Sequence, residues 1–293
     1  MKKIYLLLSL FCIALCVVAQ DRVTEIKNKL SDKNSNYVAV VAHRGDWRNY
    51  CENSLEAIQS CIDMGVDMVE IDLARTKDGE LVLMHDRYLD RTTSGKGLVN
   101  DYTLAEIKEM RLRNAVNVVT EFEIPTLREA MLVAKGKIMV NLDKADKYFD
   151  DVFRILEETG TVGQTIIKSS KPYSELRQEI GEHLDEMIFM PVVNIKSTTS
   201  TQMLDEILEK QYPFYELVFR EDSEHLAKYC KEKLKDTSSI IWINSLWPSL
   251  CAGYSDDRAL KSMDNTWGHL INQLGARILQ TDRPAMMLEY VRQ

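Results

Sequence analysis

His43, Arg44, Glu70, Asp72 and His85 are the residues of this chain whose types and spacing fit one piece of chemistry. Glu70 and Asp72 stand one residue apart in Val69-Glu70-Ile71-Asp72-Leu73. On a strand, the period of two puts both carboxylates on the same face. Two inward carboxylates repel each other unless a proton or a cation sits between them. Hard oxygen donors suit Mg²⁺ or Ca²⁺, so one divalent cation is expected here. His43 and His85 then read as an acid and a base, since imidazole titrates near neutral pH. Arg44 offers a planar fork for phosphate oxygens. The set suits in-line displacement at phosphorus. Cation and guanidinium take up equatorial charge, one histidine activates the nucleophile, and the other protonates the leaving oxygen.

These groups need strands to hold them. Tyr37 to Ala42 is a continuous apolar run, the pattern of a strand buried on both faces, and His43-Arg44-Gly45 follows at its end. Ser54 can cap a helix that Gly65 ends. Met68 to Leu73 is the second strand. Leu81 to His85 is also strand-like, but the gap from Leu73 is too short for a parallel crossover. It must fold back as an antiparallel hairpin, turning at Asp78-Gly79, which sets His85 roughly opposite Asp72. Further strands are expected at 137–143, 165–169, 187–193, 216–220, 240–244 and 277–281, with helical patterns between most of them, including one over 256–274. With the hairpin counted as one unit, the expected fold is α/β: a (β/α)8 TIM barrel with a β-hairpin extension after strand 2. Residues 89–127 form a long excursion in the second βα connection. In such a barrel catalytic groups stand at the C-terminal strand ends. Asp143 ends the third barrel strand and can complete the acidic set with Glu70 and Asp72.

The bulk numbers are compatible with this. The chain has 293 residues, 45% hydrophobic, with a formal net charge of −8. An acidic surface argues against nonspecific nucleic-acid binding, which requires basic surface to neutralise phosphates. One small phosphodiester as substrate remains compatible with it. Lys2 and Lys3 followed by a nearly all-apolar stretch from Ile4 to Val18 read as a signal peptide over 1–19, cleaved near Ala19. The run is short for a transmembrane span. The expectation is a secreted or periplasmic protein without stable membrane insertion. Residues 20–36 read as a lead-in, and 37–293 as one domain. Of six cysteines, Cys51, Cys61, Cys230 and Cys251 lie beyond the leader. Cys61 reads as core, and a Cys51–Cys251 disulfide is an open expectation.

The motifs resemble those of the glycerophosphodiester phosphodiesterase family. His43-Arg44-Gly45 opens the resemblance. Glu52-Asn53-Ser54, Glu70-Ile71-Asp72, His85-Asp86 and Leu89-Asp90-Arg91-Thr92-Thr93 follow. Ile124-Pro125-Thr126-Leu127, Trp242-Ile243-Asn244 and Thr281-Asp282-Arg283-Pro284 then continue in the family's order. The resemblance runs from Val40 to Pro284. It implies a TIM barrel, a Ca²⁺ or Mg²⁺ ion, and cleavage of glycerophosphodiesters to sn-glycerol 3-phosphate and an alcohol. It makes His43 and His85 the acid/base pair and Glu70, Asp72 and Asp143 the metal ligands, with Arg44 and Glu52 on the phosphate side. The family usually has Glu-x-Lys after its next strand, where this chain reads Asn141-Leu142-Asp143-Lys144-Ala145. Ala145 takes the lysine position, and strand alternation turns Lys144 away. Lys168, ending the following strand, is the candidate replacement. Trp242 and the long apolar loop 245–251 are expected to line the alcohol side. Two other readings stand beside this one. One is a lipid-directed relative, of phospholipase C or sphingomyelinase D type, that forms a cyclic phosphate. The other is a catalytically dead binding barrel.

Overall fold

Eight parallel strands close into a barrel in the computed structural model, which describes residues 21–293. The expected signal peptide lies outside the described residues. The barrel strands are β1 (Ala39–His43), β2 (Met68–Arg75), β4 (Met139–Asp143), β5 (Thr165–Ser169), β6 (Ile188–Ile195), β7 (Phe214–Phe219), β8 (Ile240–Asn244) and β9 (Ala276–Thr281). β1 pairs in parallel with both β9 and β2, which closes the ring. The outer helices are α2 (Leu55–Met64), α4 (Leu127–Ala134), α5 (Phe149–Thr159), α6 (Tyr173–Ile180), α7 (Thr201–Leu208), α8 (Glu224–Leu234), α9 (Asp256–Ala259), α10 (Trp267–Asn272) and α11 (Pro284–Val291). The single helix expected over 256–274 is thus two short ones. The α/β barrel with its hairpin after strand 2 is as the sequence led us to expect.

Strand alternation splits the barrel interior into two levels. The lower level is apolar: Val41, Met68, Met139, Ile166, Ile240 and Trp242 pack together. Val23, Ile26 and Leu30 of α1 (Arg22–Ser31) belong to the same cluster and plug the N-terminal end of the barrel. Two residues farther along the same faces, the side chains turn polar: His43, Glu70, Asn141, Lys168 and Asn244. The apolar floor therefore holds the polar level against the C-terminal mouth, away from bulk water below.

Local signals explain how the flanks are set. The Ser54 hydroxyl accepts from Ala57 N at 3.0 Å and caps α2, and Gly65 ends that helix at φ 77°. Thr126 and Glu129 form a reciprocal capping box at the start of α4. Each such cap is worth roughly 1 kcal/mol. Between β1 and α2 the chain passes through Arg44 at φ 54° and Gly45 at φ 75°. A Cβ at Gly45 would stand 2.8 Å from the Ala57 Cβ, so glycine is required by space as well as by conformation.

The hairpin strand β3 (Leu81–Leu83) pairs antiparallel with β2, Leu73 opposite Leu83. Met84 N donates to Asp72 O at 3.0 Å, so Met84 opposes Asp72 and His85 stands one residue beyond. The expected register was off by that one residue. The excursion after β3 carries its own small core of Val82, Leu89, Val99, Ile107, Leu112 and Ile124, and the short helix α3 (Leu104–Lys108). It is a separate packed layer beside the barrel mouth. All four described cysteines are free and buried, so the Cys51–Cys251 disulfide does not form. The two thiols sit in different apolar clusters, Cys51 under the excursion and Cys251 in the main core.

Candidate active site

The expected carboxylates converge. One oxygen from each of Glu70, Asp72 and Asp143 lies within 4.8 Å of the others. β2 and β4 pair in register, with Asp72 beside Asp143, which explains the convergence of side chains from two strands. Asn53 holds Asp72 from both ends: its Nδ2 donates to Asp72 Oδ2 at 2.9 Å, and its Oδ1 accepts from Asp72 N at 3.0 Å. Burial first, and then the Asp72 charge, push Glu70 up to about 7, although Lys168 and His43 pull the other way. Lys144, Arg44 and His85 together outweigh burial at Asp72 and hold it below the usual carboxylate range. Three hard oxygen donors brought this close together fit a divalent cation.

Two histidines flank this cluster, each backed by a carboxylate. His43 on β1 is in register with Glu70 on β2, and His43 Nδ1 bonds Asp282 Oδ1 at 2.8 Å. His85 Nδ1 bonds Asp86 Oδ1 at 2.6 Å, and its Nε2 lies 4.0 Å from Asp72 Oδ1. With Nδ1 engaged by a carboxylate, Nε2 is the nitrogen left to face the site on each ring. Burial lowers the His43 pKa, but the Asp282 hydrogen bond and the Glu70 charge outweigh it and leave it raised. Asp282 also accepts from Trp47 Nε1 at 2.7 Å. Asp86 is held far below the carboxylate range, chiefly by Arg91, with His85 adding to this.

Arg44 lies between these groups. Its Nη1 donates to Glu52 Oε1 at 3.0 Å, and its Nε is 3.3 Å from Asp72 Oδ2. Glu52 also receives Arg91 Nη1 at 2.6 Å, and Arg91 Nε reaches Asp86 at 2.7 Å. Glu52 therefore links the arginine beside one histidine to the arginine that braces the other. It orients both guanidinium groups.

Both lysines enter the site. Lys168 Nζ stands 3.9 Å from Glu70, 3.6 Å from Asp143 and 3.7 Å from Glu216. Burial opposes its charge, yet Glu216, Glu70 and Asp143 together raise its pKa, so it stays protonated. Lys144 does not turn away as strand alternation implies. β4 ends at Asp143, and Lys144 takes a left-handed φ of 65°, which breaks the alternation. Its Nζ donates to His85 O at 2.6 Å and lies 3.3 Å from Asp72 Oδ1. Trp242 is the expectation the structure corrects outright. It is fully buried on the apolar lower level, with Nε1 donating to Asn244 Oδ1 at 2.6 Å. Two residues short of the mouth, it supports Asn244, which in turn donates to Glu216 at 2.9 Å. Trp247, from the same long loop, is the aromatic at the mouth, its ring edge-on to His43 at 5.9 Å.

A cavity of about 540 Å³ opens from His43 and Arg44 toward the excursion, walled also by Trp47, Arg91, Arg113 and Trp247. His85 is not in its wall. Residue-by-residue reading missed Asp282, Asp86, Asn53, Lys144 and Glu216 as working parts of the site. The first three stood inside the quoted motifs, and a histidine followed or faced by an aspartate was the available signal. Nothing local marked Glu216.

A model of the glycerophosphoryl diester phosphodiesterase family matches residues 43–234. The chain belongs to that family. A domain family of unknown function matches residues 189–291, overlapping the first over β6 to α8. Among curated relatives, a glycerophosphodiester phosphodiesterase of Caldanaerobacter subterraneus is 42% identical over 108 residues, 36% of this chain and 44% of that protein. The chain thus spans less than half the length of such relatives. Among solved structures, a glycerophosphoryl diester phosphodiesterase from Parabacteroides distasonis superposes with a TM-score of 0.73 at 23% identity, covering 92% of this chain and 91% of the other. An Oleispira antarctica phosphodiesterase, solved with the product sn-glycerol-3-phosphate, has a TM-score of 0.63 at 20% identity over 87% of this chain and 97% of its own. At these identities the two structures speak for a shared barrel. The family match over 43–234 includes both histidines, Arg44 and the acidic set.

Proposed function

We propose that this member of the glycerophosphoryl diester phosphodiesterase family hydrolyses glycerophosphodiesters to sn-glycerol 3-phosphate and an alcohol. The observation that carries the reading is the pair of carboxylate-backed histidines on either side of Glu70 and Asp72, with Arg44 between them. The product bound by the Oleispira antarctica phosphodiesterase is the one this reading requires.

In-line displacement puts nucleophile and leaving group on opposite sides of phosphorus. The cavity borders His43 and not His85, so the alcohol lies on the His43 side. His43, whose protonated form Asp282 favours, gives its Nε2 proton to the leaving oxygen as the P–O bond breaks. His85, with Nδ1 fixed by Asp86, takes a proton from the attacking water at Nε2. Arg44 and Lys168 hold the phosphoryl oxygens through charge-assisted hydrogen bonds. Glu70, Asp72 and Asp143 would hold one Ca²⁺ or Mg²⁺ ion, which supplies Lewis-acid charge stabilisation to the phosphoryl group. The small phosphodiester is the partner; no nucleic acid is expected against an acidic surface. No described helix is long and apolar enough to cross a membrane. Export to the periplasm or beyond is the part of the reading that rests on 1–19 alone, and N-terminal sequencing of the cell-external protein tests it.

Two measurements separate this reading from its rivals. In ¹⁸O-water, phosphorus NMR should find label in the released glycerol phosphate from the first turnover. A cyclic phosphate that acquires label only afterwards would identify attack by a substrate hydroxyl instead. For the cation, metal-stripped protein should gain about 2.7 kcal/mol of stability at a cation concentration a hundredfold above Kd. A thermal melt with Ca²⁺ and Mg²⁺ added separately reads this without any turnover. No shift with either ion would remove the metal from the proposal.

A further inference from the structure

Most charged groups around the cavity already have partners. Arg44 is taken by Glu52 and Asp72, and Arg91 by Glu52 and Asp86. Asp282 is taken by His43 and Trp47. Arg113 and Asp90 are the exceptions among the described residues: both line the cavity, and each is held by backbone groups with no ion-pair partner within 4.0 Å. Arg113 is nevertheless fixed in place. Its Nε donates to Thr93 O at 2.7 Å and its Nη1 to Asn117 O at 3.2 Å. Both anchors are backbone carbonyls, which orient the guanidinium without neutralising it, and Nη2 remains unspent.

The neighbours of Arg113 add donors. Arg113 and Val119 form an antiparallel bridge that closes a tight turn, Asn117 sitting at φ 65°. Asn114 Oδ1 is consumed by Val116 N at 3.2 Å and Val118 N at 3.0 Å. The amide Nδ2 of Asn114 is then the end left to a ligand. Asn114 and Asn117 both line the same cavity. On a chain with a net charge of −8, an unneutralised, pre-oriented arginine beside two amides in a substrate cavity points to an anion. Asp90 is the opposing feature. It lines the cavity too, with Oδ2 accepting from Gly97 N at 2.9 Å.

We propose that Arg113, with Asn114 and Asn117, forms an anion-selective subsite for the leaving alcohol. The enzyme therefore favours glycerophosphodiesters whose alcohol carries a carboxylate or a second phosphate over those with a cationic head group. This rests on the hydrolase reading above and assigns the substrate class of that same site.

Matched substrates test it. Glycerophosphoserine and glycerophosphoethanolamine differ by one carboxylate. Glycerophosphoinositol 4-phosphate and glycerophosphoinositol differ by one phosphate. The wild-type enzyme should show a higher kcat/KM for the anionic member of at least one pair, by roughly 10- to 100-fold, the range of a charge-assisted hydrogen bond. The pair that shows the preference tells carboxylate from phosphate. Arg113→Ala should erase the preference, lowering kcat/KM for the anionic member far more than for the member whose head group lacks the extra charge. If the alanine variant loses both members because its turn collapses, Arg113→Lys decides: the proposal requires part of the preference to survive the lysine. Equal turnover of both members of both pairs by wild type, or a preference for ethanolamine that Asp90→Asn abolishes, overturns the anion subsite while the hydrolase stands. No turnover of any of the four diesters overturns the hydrolase reading itself.

Discussion

His43→Ala should lower kcat/KM for glycerophosphodiesters by roughly 10²- to 10⁴-fold, the contribution of a positioned acid or base, with little change in melting temperature. His43 ends β1 at the polar mouth, above the apolar level that stabilises the barrel. Its loss leaves Asp282 with Trp47 Nε1 as a donor at 2.7 Å, so the buried carboxylate keeps a partner. Steady-state kinetics beside a thermal melt separates the two effects, and turnover equal to the parent's would end the acid role. Asp282→Asn gives the companion result with a sign. Burial lowers the His43 pKa, and the Asp282 bond is the largest influence raising it. Without the aspartate charge, His43 loses its proton at lower pH. The alkaline limb of the kcat/KM profile, where the acid is lost, should then move to lower pH. Because Asp282 acts through His43, its substitution should spare KM more than kcat.

Lys168→Met should be the most destabilising change at the mouth. The Lys168 side chain is only 13% exposed, and its ammonium faces Glu70, Asp143 and Glu216 within 3.9 Å. Removing one partner of a buried ionic cluster costs about 3–5 kcal/mol, because the remaining charges are left uncompensated. Denaturant unfolding of the metal-stripped variant should show this loss, and added Ca²⁺ or Mg²⁺ should recover part of it by neutralising Glu70 and Asp143. A cation bound equally by parent and variant, with unchanged unfolding, would place Lys168 outside the acidic cluster's electrostatics. Turnover should fall as well, since Lys168 is one of the two cations assigned to the phosphoryl oxygens.

The chain's own order of residues determined a great deal here. Apolar runs ending in His43, in Asp72 and in Asp143 state both the strands and the end at which their chemistry stands. The short gap between Leu73 and Leu81 leaves only an antiparallel return, which is a matter of chain length and holds whatever the rest of the fold does. Ser54, Thr126 and Gly65 mark helix ends because capping is local. The carboxylate pair was legible for the same reason: a period of two needs no tertiary information.

Other roles depended on contacts between segments far apart in the chain. Asp282 meets His43 across 239 residues because β9 closes the barrel against β1. Glu216 meets Lys168 because β5 and β7 both aim a residue inward at one level. Lys144 was misread because alternation was carried past the strand's end at Asp143, into a left-handed turn no residue type announced. Trp242 carried a motif's look but sits one layer too low, where two residues of strand rise decide between floor and mouth. The cysteines were placed apart by packing in separate clusters. The sequence alone therefore determined which groups could do the chemistry and on which strand ends they stand. Only ring closure and the packed excursion decided which partner orients each group, and which histidine faces the cavity.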